Sequence, residues 1–118
     1  ITLKLIKDKL VASVHDVSSG GLLLALAEMS FNSSYGVKIN KPKKIFNLME
    51  YFFGEDQGRY LIEINPTELP KINKILDENN IFNEIVGTVQ KDYFEVTDEL
   101  KIKINDLYKT NNTWYNKY

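Results

Sequence analysis

Residues 21–31, Gly-Leu-Leu-Leu-Ala-Leu-Ala-Glu-Met-Ser-Phe, carry one charge, Glu28. A helix that is apolar nearly all round has to be covered on more than one face. It therefore reads as a layer between a sheet and something further, which excludes folds in which this helix lies outermost. Before it, His15-Asp16-Val17-Ser18-Ser19-Gly20-Gly21 is polar, contains paired glycines and follows a β-prone run at residues 11–14. The pattern is strand, tight turn, helix. Ser18 or Ser19 is the expected N-cap, because a hydroxyl can satisfy a free N–H of the first helical turn.

A second block of the same character, Phe53-Gly54-Glu55-Asp56-Gln57-Gly58-Arg59-Tyr60, leads into a strand. The remaining pattern predicts a scaffold for the two blocks. Residues 1–10 read as a short amphipathic helix, with Leu3, Leu5, Ile6 and Leu10 among lysines. Val37 and Ile39 alternate with Lys38 and Asn40 as a half-exposed strand, interrupted by Pro42. Residues 45–52 place Ile45, Leu48, Met49 and Phe52 at helical spacing, and residues 59–64 form a strand with Tyr60, Ile62 and Ile64 on one face. Thr67 caps a helix reaching residue 78, with Leu69, Ile72, Ile75 and Leu76 inward and Asn79-Asn80 as a left-handed stop. Residues 82–89 and 93–96 read as strands, and Thr97-Asp98-Glu99 turns into a last strand over 100–104. Lys41, Lys43 and Lys44 read as a solvated edge. From Asn105 the chain offers one helical turn and a tail with Trp114, Tyr115 and Tyr118, aromatics that suggest docking on another part of the protein. Short strands with hairpins, plus helices that must cover a sheet, define an α+β domain with a mixed, mainly antiparallel sheet.

The 118 residues suffice for one domain with one core, and a compact domain of that size has a radius of gyration of roughly 13–14 Å. Fifteen basic and sixteen acidic residues leave a net charge of −1. That balance carries no footprint for nucleic acid or for an anionic membrane surface. There is no cysteine and one histidine, so neither a disulfide framework nor a thiolate or multi-histidine zinc site is expected. No run approaches the roughly 20 apolar residues of a membrane span. The chain begins at Ile1 and already reads as helix there, which suggests a piece of a longer polypeptide.

The two polar blocks admit more than one chemistry. At the first, paired glycines and a helix start suit a phosphate or nucleotide. The same residues also suit a tight turn in which the glycines serve helix–sheet packing. His15 could act as a general base but has no nucleophile beside it, and a hydrogen-bonded structural role fits better. At the second block, Glu55-Asp56-Gln57 could hold magnesium or a polar substrate, or be a solvated loop. Arg59 could meet a phosphate or pair with Glu55 or Asp56.

Taken together, the two blocks resemble a known family. His15-Asp16-Val17-Ser18-Ser19-Gly20-Gly21-Leu22 with Ala25-Leu26-Ala27-Glu28-Met29, followed by Gly54-Glu55-Asp56-Gln57-Gly58-Arg59, is similar to the last domain of phosphoribosylformylglycinamidine synthase, in the aminoimidazole ribonucleotide synthase-related superfamily. The likeness covers residues 1–104, leaving 105–118 as an aromatic tail. Synthases of this kind carry two copies of an N-domain/C-domain pair, and the second block here resembles the second copy. The resemblance implies a three-layer α/β/α domain with partly ferredoxin-like topology. It implies an ATP- and Mg2+-dependent ligase of purine biosynthesis, cytoplasmic, inactive as an isolated domain, with N-terminal domains of the same chain, a glutaminase subunit and a small accessory subunit as partners. A non-catalytic nucleotide-binding or interaction module is the alternative. Carried over residue by residue, Ser18, Gly20, Gly21, Glu55, Asp56 and Gln57 become the nucleotide- or substrate-binding candidates. His15, Asp16 and Ser19 form the structural turn, and the domain holds no catalytic residue or metal ligand of its own. Ser19 stands where the family usually has Asp.

Overall fold

The computed structural model describes residues 1–31, 33–42 and 47–117. In chain order the elements are α1 (Thr2–Lys7), β1 (Ser13–Asp16), α2 (Gly21–Ser30), β2 (Tyr35–Ile39), α3 (Leu48–Phe53), β3 (Tyr60–Glu63), α4 (Leu69–Glu78), β4 (Gly87–Lys91), β5 (Tyr93–Val96), β6 (Leu100–Lys103) and α5 (Ile104–Thr113). Single 3-10 turns precede α4 (Pro66–Glu68) and follow α5 (Trp114–Lys117). Lys43, Lys44, Ile45 and Tyr118, which entered the sequence reading, lie outside the described residues.

The strands divide into two sheets. β1 and β3 form an antiparallel ribbon with Ser13 opposite Glu63 and Asp16 opposite Tyr60. The other four make a mixed sheet in the order β4-β2-β5-β6, in which only the β2–β5 pair is parallel. β4 and β5 are joined by the single residue Asp92 and straddle β2. Gly36 permits this crossing, because a Cβ there would run into the Tyr93 carbonyl. This is the expected α+β architecture with mainly antiparallel pairing.

Two apolar clusters hold the elements together. The larger unites Leu22, Ala25 and Leu26 of α2, Phe52 of α3, Val37, Ile39, Phe94 and Val96 of the four-stranded sheet, Leu61 of β3 and Ile104 of α5. Helix α2 is thus covered by the sheet on one side and by α3 on another, as its composition demands. Its one buried hydroxyl, Ser30, donates to the Leu26 carbonyl at 2.9 Å. The smaller cluster joins α1 and α4 through Leu5, Leu10, Ile72 and Leu76, with Ile62 and Ile64 packed against it. Neighbouring residues of β3 therefore serve different cores, Leu61 the larger and Ile62 the smaller, as alternation along a strand requires. Tyr60 stays 57% exposed at the ribbon's end. It does not share the fate of Ile62 and Ile64 that periodicity alone assigned it.

Several element boundaries differ from expectation for identifiable reasons. α1 stops at Lys7, where Lys9 takes φ +55° and the amides of Lys9 and Leu10 donate to the Ile6 and Leu5 carbonyls. That is a Schellman closure, with Leu10 packing on Leu5. α4 ends in the same way at Asn80, φ +54°, so the asparagine pair is the expected left-handed stop. The capping residue of the 3-10 turn that leads into α4 is Asn65, not Thr67: its side-chain Oδ1 accepts from the Thr67 amide and hydroxyl, and Pro66 begins the turn. The strand expected over 82–89 starts only at Gly87, because β2 offers five residues to pair with, and Asn40 adds one further hydrogen bond to Val86. The tail is more than one helical turn. α5 runs ten residues, and Tyr108 sets its ring edge-on to Phe31 at 5.7 Å. The molecule measures 49 × 33 × 26 Å, and its elongation accounts for a radius of gyration of 15.1 Å.

Candidate functional site

The two polar blocks meet because the strands they adjoin are paired. The first leaves the end of β1 and the second enters β3, and the Val17 amide donates to the Arg59 carbonyl at 2.9 Å, extending the ladder by one bond. Residues nearly forty positions apart are thereby held at one end of a two-stranded ribbon. Between them opens a solvent-facing cleft of about 330 Å³, lined by Asp16, Val17, Ser18, Ser19, Glu55, Gln57, Gly58, Arg59 and Tyr60.

Local geometry fixes each wall. The N-cap of helix α2 is Gly20, with φ +78°, and neither Ser18 nor Ser19 caps the helix with a side chain. The hydroxyl cap expected from sequence is absent because Glu55 takes that role across the chain: the Gly20 amide donates to Glu55 Oε1 at 2.7 Å. The Ser18 carbonyl accepts from the Gly21 amide at 3.0 Å, and Ser18 and Ser19 line the cleft. Gly21, with φ +67°, lies against the backbone of α3. A Cβ there would come within 2.6 Å of the Phe53 carbonyl carbon. The paired glycines thus set the packing of α2 on α3 and the start of α2.

His15 and Asp56 stand beside the cleft and do not line it. His15 Nδ1 lies 2.6 Å from the Asp16 carbonyl oxygen and Nε2 lies 3.3 Å from Glu28 Oε2. Each ring nitrogen thus faces an oxygen, the hydrogen-bonded setting expected from the sequence. Asp56 is largely exposed and pairs with Arg59 at 3.5 Å, one of the two partners foreseen for that arginine. Tyr51 was not singled out from sequence, because one tyrosine in an apolar helix stripe signals only packing. Its hydroxyl donates to Glu84 Oε1 at 3.0 Å. Burial pushes the phenol up to about 12, the Glu84 carboxylate adds to the shift, and Arg59 opposes it.

The cleft is suited to binding by hydroxyl, amide and single-charge contacts. Among the described residues no group of three or more His, Asp or Glu side chains converges to hold a metal ion. Of the nearby carboxylates, Glu55 is engaged with Gly20 and Asp56 with Arg59, while Asp16 also lines the cleft. No helix among the described residues is long and apolar enough to cross a membrane.

An α+β domain carrying a polar cleft where two glycine-containing blocks meet is the class that fold and site define. The sequence pattern of the family described as AIR synthase related protein, C-terminal domain, matches residues 1–99. The chain belongs to that family. Among curated relatives, phosphoribosylformylglycinamidine synthase subunit PurL of Pelagibacter ubique is 41% identical over 116 residues, covering 98% of this chain and 16% of the relative. The subunit of the same name from Bartonella bacilliformis is 36% identical over 108 residues, covering 92% and 14%. The chain thus spans about one sixth of the length of the curated relatives it matches. Among solved structures, PurLQS from Thermotoga maritima superposes with a TM-score of 0.77 at 20% identity, covering 90% of this chain and 20% of that one. PurL from T. maritima complexed with ATP gives 0.75 at 19% identity, with the same two coverages. These likenesses show a shared fold.

Proposed function

We propose that the chain serves as the C-terminal domain of a phosphoribosylformylglycinamidine synthase. The whole protein is then an ATP-dependent carbon–nitrogen ligase of purine biosynthesis, acting in the cytoplasm. In that reaction ATP phosphorylates the glycinamide carbonyl oxygen of formylglycinamide ribonucleotide, ammonia attacks that carbonyl carbon, and phosphate leaves to give the amidine. The observation that carries this reading is the 41% identity over 116 residues, 98% of the chain and so both blocks, to a subunit of that name. Solved T. maritima PurL structures complexed with ATP and with FGAR support a nucleotide and the ribonucleotide substrate as ligands of the whole enzyme.

Within the whole enzyme this domain supplies one wall of a cleft, with Ser18, Glu55 and Gln57 as its nucleotide- or substrate-side residues, Gly20, Gly21 and Asp56 behind them, and His15 and Asp16 at the end of β1 together with Ser19 shaping it. N-terminal domains of the same longer chain supply the opposite wall, the catalytic groups and the ligands for Mg2+. A glutaminase subunit delivers ammonia, and a small accessory subunit completes the assembly. The domain proper is residues 1–104, and residues 105–118 are an appended tail. The 118-residue chain is expected to show no turnover with ATP, ammonia and formylglycinamide ribonucleotide. Robust turnover would mean that the chain is not a partial site.

A further inference from the structure

At the start of α2, the place where glycines and free amides suit an anion, the chain has seated a carboxylate of its own. Glu55 Oε1 accepts from the Gly20 amide at 2.7 Å. Charge-assisted hydrogen bonds of that length are among the stronger ones a chain makes. The helix start also favours a negative charge. Glu55 follows Gly54, whose amide donates to the Glu50 carbonyl at 2.9 Å and closes α3, so the carboxylate is delivered from a fixed point. On the other side, Gly21 is pressed against Phe53. No side-chain-sized space separates the start of α2 from the end of α3.

We infer that Glu55 is a positioning residue that occupies the start of α2 and so excludes anions from it. Its carboxylate ties the second block to the first and fixes the distance between Ser18 and Ser19 on one wall and Gln57 and Arg59 on the other. The cleft is then left with hydroxyls, one amide, the Asp16 carboxylate and the Arg59 cation, itself paired with Asp56. A ligand is selected through its hydroxyl or amide groups. A bare phosphate finds the helix start already filled. The inference stands on the Gly20–Glu55 geometry and borrows from the proposed function only the idea that the cleft takes a ligand.

Amide exchange and chemical shifts of the 118-residue chain, measured without nucleotide, test it separately from that function. In the unaltered chain the Gly20 amide is expected to be protected and to stay unmoved on titration with inorganic phosphate. Glu55→Ala should speed its exchange by about tenfold or more, and phosphate should then shift Gly20 and Gly21. Glu55→Gln keeps an acceptor oxygen and should restore the protection. The inference is overturned if phosphate shifts Gly20 in the unaltered chain, or if Gly20 exchanges freely there. It also fails if the Gln variant behaves like the Ala variant. Should the Ala variant not fold, the unaltered chain and the Gln variant still decide between these outcomes.

Discussion

Two residues show how single side chains set this domain's tolerance to change. Gly21 combines φ +67° with a backbone neighbour that leaves no room for a Cβ. Gly21→Ala should therefore cost about 2–4 kcal/mol, adding left-handed strain to displacement of α3. Urea unfolding of the two proteins measures that difference, and a loss well under 1 kcal/mol would mean that α2 and α3 can slide apart freely. Glu95 sits on the open face of the four-stranded sheet, 3.5 Å from Lys38 and 3.4 Å from Lys101. Partial desolvation pushes its carboxyl up, but the Gln90 hydrogen bond and the two ammonium groups outweigh that and hold it below the ordinary 4.5. A carboxyl lowered on folding adds stability above its unfolded pKa and loses it as pH falls through the folded one. Glu95→Gln should thus lower the melting temperature modestly at neutral pH, and the two melting curves should converge in acid. Parallel curves at every pH would contradict the pairing.

At the scale of elements, the smaller cluster rests on few residues. Ile72 and Leu76 lie one turn apart on α4 and meet Leu5 and Leu10. Ile72→Ala should cost about 2–5 kcal/mol, since Ile72 is only 1% exposed and α1 and α4 cannot both close the gap. Thermal unfolding followed by circular dichroism reports it. The tail offers a test of the domain boundary. Leu107 packs on the larger cluster and Tyr108 on Phe31, so deleting residues 105–118 should lower stability by about 1–3 kcal/mol and leave the fold intact. Loss of the folded state would make α5 integral to the domain. Much of this layer was legible in the chain itself. The amphipathic stripe of α4, its asparagine stop, the Thr97–Glu99 turn and the two-sided burial of α2 all follow from local patterning. What was not legible depends on distant partners. The length of β4 is set by β2, the fate of Tyr60 by where the ribbon ends, and the length of α5 by Phe31 lying beneath it.

At the scale of the whole molecule, the site is a consequence of one pairing. β1 and β3 bring together two blocks that the sequence marked by composition, yet no local pattern states that Glu55 would take the place of Ser18 or Ser19 at the start of α2. A cap supplied from 35 residues away leaves no periodic trace. The Asp56–Arg59 pair and a hydrogen-bonded His15 were readable, whereas the cap was not: Ser18 and Ser19 line the cleft while Glu55 meets Gly20. The cleft is open to solvent, and a ligand gripped from one side buries too little surface to bind tightly. The most direct measurement is a calorimetric titration of the 118-residue chain with ATP and Mg2+. A half-site should bind with a Kd weaker than about 100 μM, whereas a Kd below about 1 μM would show a self-sufficient nucleotide module and contradict the missing wall.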